Sequence, residues 1–436
     1  MMELSYFGEN IIGSEILKIS GKIKKKILNG DKIFNYTIGD FNPNIYPIPD
    51  GLRSLIEAAY IENDTNYPAS TGELSLKKSI SEHLNGKYNI FYIEDEILIG
   101  AGVRPLIYTI FKTLVNPTDN ILFPVPSWNN DHYTFLHNGT PIPIECGEDN
   151  DFFPKVEDIE KNIETARLVC LCSPQNPTGK VIKPELLKDI CDIIVKENER
   201  REKIRDYFNE LRYDDTFKIA HVLNDNSYRP VYLFFDQIYS DIARVEQHHP
   251  LILNPQIKDY LICVDGISKS LCATGLRVGW MFGPENFIKR AGEIFSHIGA
   301  WAPKPEQIGV ANFLKNNFLF DNYIRSRKDV YGYVSEKICN VFEVMKAKEY
   351  NVDYKQPDGA IYISIYLGDT LKFDSTDDVM DFLIDECNIG LIPFEYFGTK
   401  ENKGWFRLSI GNVDVAILNE HLEKIKNTII KLKEKT

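Results

Sequence analysis

Short apolar runs rich in β-branched and aromatic residues recur along the middle of this chain, and stretches with helical spacing separate most of them. Ile97–Ile99, Asn120–Phe123, Pro141–Ile144, Leu168–Cys172, Val231–Phe235 and Leu261–Val264 follow one another in this way. Strands of that composition with helices between them predict an α/β fold whose parallel or mixed sheet is covered on both faces. The first run leads through Gly100-Ala101-Gly102 into a helical pattern from Leu106 to Val115. A long helical region is expected from about Glu306 to Lys346, and the last stretch reads as shorter strands, Ile361–Ile365 and Trp405–Ile410, with helices against them. An amphipathic helix, Ile16 to Leu28, precedes an irregular stretch from Gly39 to Pro49.

Composition narrows the function classes. With 436 residues the chain is long enough for two or three domains. Its net charge of −13 is spread along the length, and Lys24-Lys25-Lys26 sits in a helical pattern as a solvated face. An acidic chain without a basic block points away from nucleic acid and anionic membranes. No secretory leader or long apolar span stands out, so the expected location is cytoplasmic. Eight cysteines and eight histidines lack CxxC, HxxxH or HxH spacing, which favours structural thiols over zinc ligands or disulfides; no metal site is expected.

Three polar motifs follow apolar strands, where open α/β sheets bind ligands. Ser173-Pro174-Gln175-Asn176-Pro177-Thr178-Gly179 follows Leu168–Cys172, and its two prolines fix the backbone around the Asn176 amide. Asp236-Gln237-Ile238-Tyr239 follows the next run, and an acid there needs a charged partner or solvent. Ser268-Lys269-Ser270 follows Leu261–Val264, with Thr274-Gly275-Leu276-Arg277 shortly after. A lysine in a cleft can act as an amine nucleophile, and an arginine can grip phosphate or carboxylate with two parallel bonds.

The order of these pieces resembles the class I/II aminotransferases of the type I pyridoxal-phosphate fold. The resemblance runs from about Tyr36 to Gly411 through Tyr67 with Gly72, Gly102-Val103-Arg104, Pro126-Ser127-Trp128, Asn176 to Gly179, Asp236 with Tyr239, Ser268-Lys269, Arg277 and Arg407. It implies a large domain with a mostly parallel seven-stranded-type sheet, at 48–305. A smaller α+β domain would be built from both chain ends, with an arm at 1–47 and an interdomain helix and small domain at 306–436. It also implies transfer of an amino group between an L-amino acid and a 2-oxo acid by a ping-pong route, with pyridoxal 5′-phosphate as cofactor. An amino-acid lyase or decarboxylase on the same fold is the alternative, and a non-catalytic binding module a remoter one.

By the same resemblance, Lys269 would hold the cofactor as a Schiff base and move protons, with Ser268 beside it. Asp236 would keep the ring nitrogen protonated, Asn176 and Tyr239 would bond the phenolic oxygen, and Trp128 would stack on the ring. Gly102, Val103 and Arg104 would receive the phosphate at a helix start, with Arg277 and with Tyr67 reaching from a second subunit of a homodimer with shared active sites. Arg407 would clamp the substrate α-carboxylate, near Gly39, Asn176 and Trp128. Loop residues near Gly13-Ser14 and Ile45–Ile48 are expected to line the substrate pocket. Gly266 stands where many family members carry a phosphate-binding serine, and Arg104 where small or amide residues are common. The interval from Asn176 to Asp236 is about twice the usual one, which locates a charged insertion at 196–228. Its spacing of Ile204, Tyr207, Phe208 and Leu211 predicts an amphipathic surface helix with a loop, with a partner-binding or lid element as the alternative.

Overall fold

A computed structural model describes residues 4–11, 13, 15–211 and 228–435. Among them, thirteen strands fall into three sheets. The largest contains β2 (Ile97–Gly100), β3 (Asn120–Val125), β4 (Thr140–Glu145), β5 (Ala166–Cys172), β6 (Tyr232–Asp236), β7 (Leu261–Gly266) and β8 (Gly279–Phe282). Their spatial order is β2-β8-β7-β6-β5-β3-β4. All neighbours run parallel except β8, which is antiparallel to both β2 and β7.

The apolar composition of these strands has a direct cause. Along β5, Leu168 and Cys170 enter one hydrophobic core while Val169 and Leu171 enter another, and β7 divides its residues the same way. Successive side chains point to opposite faces, and helices cover both. Each such side chain withdrawn from water contributes about 1.5–3 kcal/mol, which is why neither face tolerates polar alternation.

The strand β8 was not apparent from sequence. It is four residues, Gly-Trp-Met-Phe, just past the Thr274–Arg277 motif, and of its two partners β7 comes shortly before it while β2 lies far away in the chain. The expected helix from Glu306 to Lys346 is two helices, Lys304–Leu314 and Asn317–Ala347. The break falls at Asn316, whose side chain accepts the Leu319 amide (3.2 Å) and caps the second helix.

The remaining strands join distant parts of the chain. The short β1 (Phe34–Asn35) runs parallel to β11 (Ile389–Gly390). A four-stranded antiparallel sheet is ordered β12 (Ile392–Pro393), β13 (Trp405–Ser409), β10 (Tyr362–Leu367) and β9 (Val352–Lys355). The amphipathic helix Glu15–Leu28 is tied to residues just before β11: Lys22 bonds Asp381 and Asp385, and Lys26 bonds Asp385. Lys26 is therefore an ion-pair partner rather than part of a purely solvated face. No helix among the described residues is long and apolar enough to cross a membrane.

The charged segment needs a correction. Its first part continues the helix Pro184–Leu211, whereas residues 212–227 lie outside the described residues, as do the side chains of Phe208 and Leu211. Tyr207 is 60% exposed, and in the charged segment this helix buries polar side chains instead: Glu197, Asn198 and Arg201, the last at 1%. Arg201 donates to Glu197 and to the carbonyls of Ile163, Glu164, Ala166 and Arg229. A guanidinium carries five donors, and here they satisfy backbone oxygens at the start of β5.

Candidate active site

The carboxyl ends of β5, β6 and β7 open onto a cavity of about 590 Å³, which β10, β13 and the helix Glu15–Leu28 also wall. The ladder explains why these residues meet. Cys172 pairs with Asp236 and Asp236 with Val264, so the three strands end level and their following turns converge.

Asp236, the last residue of β6, accepts the Ile238 amide at 3.0 Å. Burial pushes its carboxyl up to about 7, with Asp265 raising it further and the Ile238 bond and Lys269 opposing. No ion pair to it occurs among the described residues, so this acid lacks a cation at its open side. Lys269 follows β7 on a single helical turn, and its amine donates to the Gly39 carbonyl at 2.5 Å. Burial lowers the amine to about 8; Asp40 opposes the shift, while Arg407 and Arg104 add to it. An amine with that affinity is a usable nucleophile near neutral pH.

Arg407 rises from β13 and is 2% exposed. It donates to the Asn176 side chain at 3.0 Å and to the Thr37 carbonyl at 2.6 Å, while its Nε has no partner. A guanidinium held at two corners with a buried donor left over is a receptor for an anion. Tyr239 shares its hydroxyl with Tyr362 at 2.7 Å. Trp128 lines the cavity with the Arg104 guanidinium 4.5 Å from its ring centroid, and no carboxylate pairs with Arg104 among the described residues.

A second centre lies where β8 meets the helix Val103–Leu114. Gly102 caps that helix at φ 79°, in the region that favours glycine, and a Cβ there would strike the Arg277 guanidinium. Arg277 donates to the carbonyls of Ala101 (2.9 Å) and Thr274 (2.7 Å). The first-turn amides of a helix have no acceptor of their own, so an anion fits beside them. Gly266 is explained here too. Across from Gly279 in the ladder, it leaves no room for a side chain, since a Cβ would come 2.9 Å from the Gly279 Cα. The absence of serine at 266 follows from this close approach, and anion binding falls to Arg277 and the helix start.

The cavity thus gathers Lys269, Asp236, Tyr239, Asn176, Trp128, Val103, Arg104, Ser268, Arg277, Gly39 and Arg407, with Gly102 directly behind Arg277. Tyr67 is not among them. It is 84% exposed, and its ring meets Trp301 edge-on at 5.7 Å. The expectation for Ile45–Ile48 is wrong: these residues do not line the cavity, and Tyr46 is buried, donating to the Val413 carbonyl at 2.8 Å. Ile16, Leu17 and Ser20 take that place; Gly13 does not line the cavity, and Ser14 lies outside the described residues. Sequence reasoning also missed Tyr362 and Asp40. Tyr362 could have been found only from the β10–β13 register, which the sequence does not state.

A buried acid without a cation, an amine of lowered affinity and an anion cradle in one cavity fit pyridoxal 5′-phosphate, with ring nitrogen, aldehyde and phosphate as their counterparts. Comparisons with known proteins agree on the family. The family model described as "Aminotransferase class I and II" matches residues 32–199 and 218–425, and the unmatched stretch falls within the charged insertion. The chain is 26% identical to an aspartate aminotransferase of Sulfolobus acidocaldarius over 411 residues, covering 92% of this chain and 91% of that one. It is 25% identical to a probable aspartate/prephenate aminotransferase of Aquifex aeolicus over 425 residues, covering 95% and 96%. In fold it is similar to the aspartate aminotransferase from Thermus thermophilus solved with maleate: TM-score 0.82, 18% identity, 98% of this chain and 100% of that one.

Proposed function

The chain belongs to the class I and II aminotransferase family, and from that premise we propose that it moves an amino group between an L-amino acid and a 2-oxo acid with pyridoxal 5′-phosphate joined to Lys269. One observation carries the reading: a buried amine, a buried acid without a cation and a two-point guanidinium face the same cavity. Bound there, the cofactor supplies a sink for the electrons of the substrate Cα–H bond. Asp236 holds a proton on the ring nitrogen, which keeps that sink effective. Asn176 and Tyr239 donate to the phenolic oxygen, and Trp128 covers the ring. Arg277, the start of the helix Val103–Leu114 and Ser268 hold the phosphate. Arg407 seats the α-carboxylate, with Gly39 and Asn176 beside it. The Lys269 amine would take and return the proton at the substrate Cα.

The substrate class we favour carries a second carboxylate. Arg104 is a cation in the cavity, stacked on Trp128 and without a carboxylate partner among the described residues. The relatives named as aspartate aminotransferases support the same choice. Arg104 thereby serves the side chain of the substrate rather than the phosphate.

We further propose a homodimer in which Tyr67 reaches the phosphate of the neighbouring site; its exposure supports this. The division at 1–47, 48–305 and 306–436 and a cytoplasmic setting belong to the same reading, the latter supported by eight free thiols.

The test is reconstitution with pyridoxal 5′-phosphate, followed by assay of acidic, neutral and aromatic amino donors against 2-oxoglutarate, pyruvate and oxaloacetate. Lys269→Ala should lose both turnover and the visible band, and Arg104→Gln should lose activity with acidic donors selectively. Normal turnover in Lys269→Ala would refute the central claim.

A further inference from the structure

The roles assigned above leave out Tyr362, although its ring is buried to 1% exposure in the cavity wall. It stands on β10 two residues before Ser364, and Ser364 pairs with Arg407 across the antiparallel ladder. Residues two apart share a face, so Tyr362 and Arg407 come into diagonal contact. The Arg407 guanidinium stands 4.6 Å from the Tyr362 ring centroid. The Tyr362 hydroxyl is 2.7 Å from that of Tyr239, with the two rings edge to face at 5.6 Å. Gly39 closes the arrangement, since a Cβ there would lie 2.8 Å from the Tyr362 hydroxyl. Tyr362 therefore touches the carboxylate clamp with its ring and the phenolic-oxygen donor with its hydroxyl.

Each phenol has one proton to donate. When Tyr362 donates to Tyr239, the Tyr239 proton is free for the cofactor's phenolic oxygen and is polarised by the bond it accepts. When the direction reverses, the phenolic oxygen loses that donor. A cation beside a phenol strengthens it as a donor, so the unpaired charge of Arg407 favours the first arrangement. A carboxylate seated on Arg407 cancels that bias.

We propose that Tyr362 is a positioning residue that relays occupancy of the Arg407 clamp to Tyr239. An empty clamp keeps the Tyr239 proton on the phenolic oxygen, and a filled clamp releases it. Negative charge then grows on that oxygen and holds a proton more firmly on the Lys269 nitrogen as substrate arrives. The proposal rests on the cofactor reading. Other groups face these atoms: Cys172 faces both phenols, Asp40 faces Tyr362 and Lys269, and Asp236, Arg104 and Cys272 face Lys269. Asn176 offers a second route from Arg407, so part of the relay survives loss of Tyr362.

The experiment titrates the visible absorbance of the loaded protein against pH, with and without succinate, which has carboxylates but no amine to react. Wild type, Tyr362→Phe, Tyr239→Phe and the double variant are compared. Succinate should raise the apparent pKa of wild type by about one unit, and that of Tyr362→Phe by less than about half as much. In the Tyr239→Phe background, Tyr362→Phe should change the shift no further. An undiminished shift in Tyr362→Phe, an independent effect in the double variant, or no shift in wild type overturns the proposal. A wild type that shows no visible band after reconstitution fails the cofactor reading instead.

Discussion

Replacing Arg407 by lysine keeps the positive charge and removes the planar fork, so it isolates what the geometry contributes. In the structure two of the five N–H donors are spent on Asn176 and the Thr37 carbonyl, and Nε is buried without a partner. Those two bonds orient the guanidinium, leaving donors spread over a plane for a carboxylate. An ammonium at the same place presents its donors from one point and cannot hold Asn176, Thr37 and two carboxylate oxygens together. At least one charge-assisted bond to the substrate is lost, worth about 1.5–3 kcal/mol. With each 1.4 kcal/mol a factor of ten, kcat/KM should fall by roughly 10- to 150-fold. Steady-state kinetics over the donor panel measure it. The fall should be similar for every amino donor, because all share the α-carboxylate. A loss confined to one side-chain class, or smaller than about threefold for all donors, would show that Arg407 is not the carboxylate clamp.

Lys269 sets a pH dependence. Burial lowers its amine to about 8, so below that pH the group is protonated and cannot attack. The rate at which the cofactor-free protein captures pyridoxal 5′-phosphate should rise through about pH 8 and level off above it, as stopped-flow absorbance can follow; a rise continuing past pH 10 contradicts the assignment. Arg201→Met should destabilise the protein by about 3 kcal/mol or more, because it strands several buried carbonyls and leaves the buried Glu197 with Arg200 as its remaining cation. Denaturant unfolding reads this directly, and a cost under about 1 kcal/mol would mean the cluster is not structural. Mixing inactive Lys269→Ala with an inactive Tyr67→Ala protein should restore activity in mixed dimers if Tyr67 serves the neighbouring site; a fully active monomer in sedimentation rules that out.

Much of the candidate site was legible because its residues follow strands. A buried strand announces itself by composition, and whatever polar residue comes next must sit at the sheet edge. Asn176, Asp236 and Lys269 could therefore be located at strand ends from local pattern, while their roles, and that of the helix start after Gly102, came from the family resemblance. Arg407 was recognisable by its order among the motifs, but its contact with Asn176 spans 231 residues.

What only the tertiary structure decided depends on register and close approach. Tyr362 lies against Arg407 because β10 and β13 pair in one alignment, and from there its hydroxyl meets that of Tyr239 across 123 residues; a slip of one residue would turn Tyr362 to the other face, away from Arg407. Gly266 looked like a missing phosphate ligand until Gly279 was found against it. The apolar spacing around Ile204 suggested which face the helix would bury, whereas the side chains buried there are polar and include Arg201, satisfied by the carbonyls of Ile163 and Ala166. Local pattern reports what a residue prefers. Which groups share a cavity is settled by contacts between segments hundreds of residues apart, and those contacts have no signature in the neighbourhood of either residue.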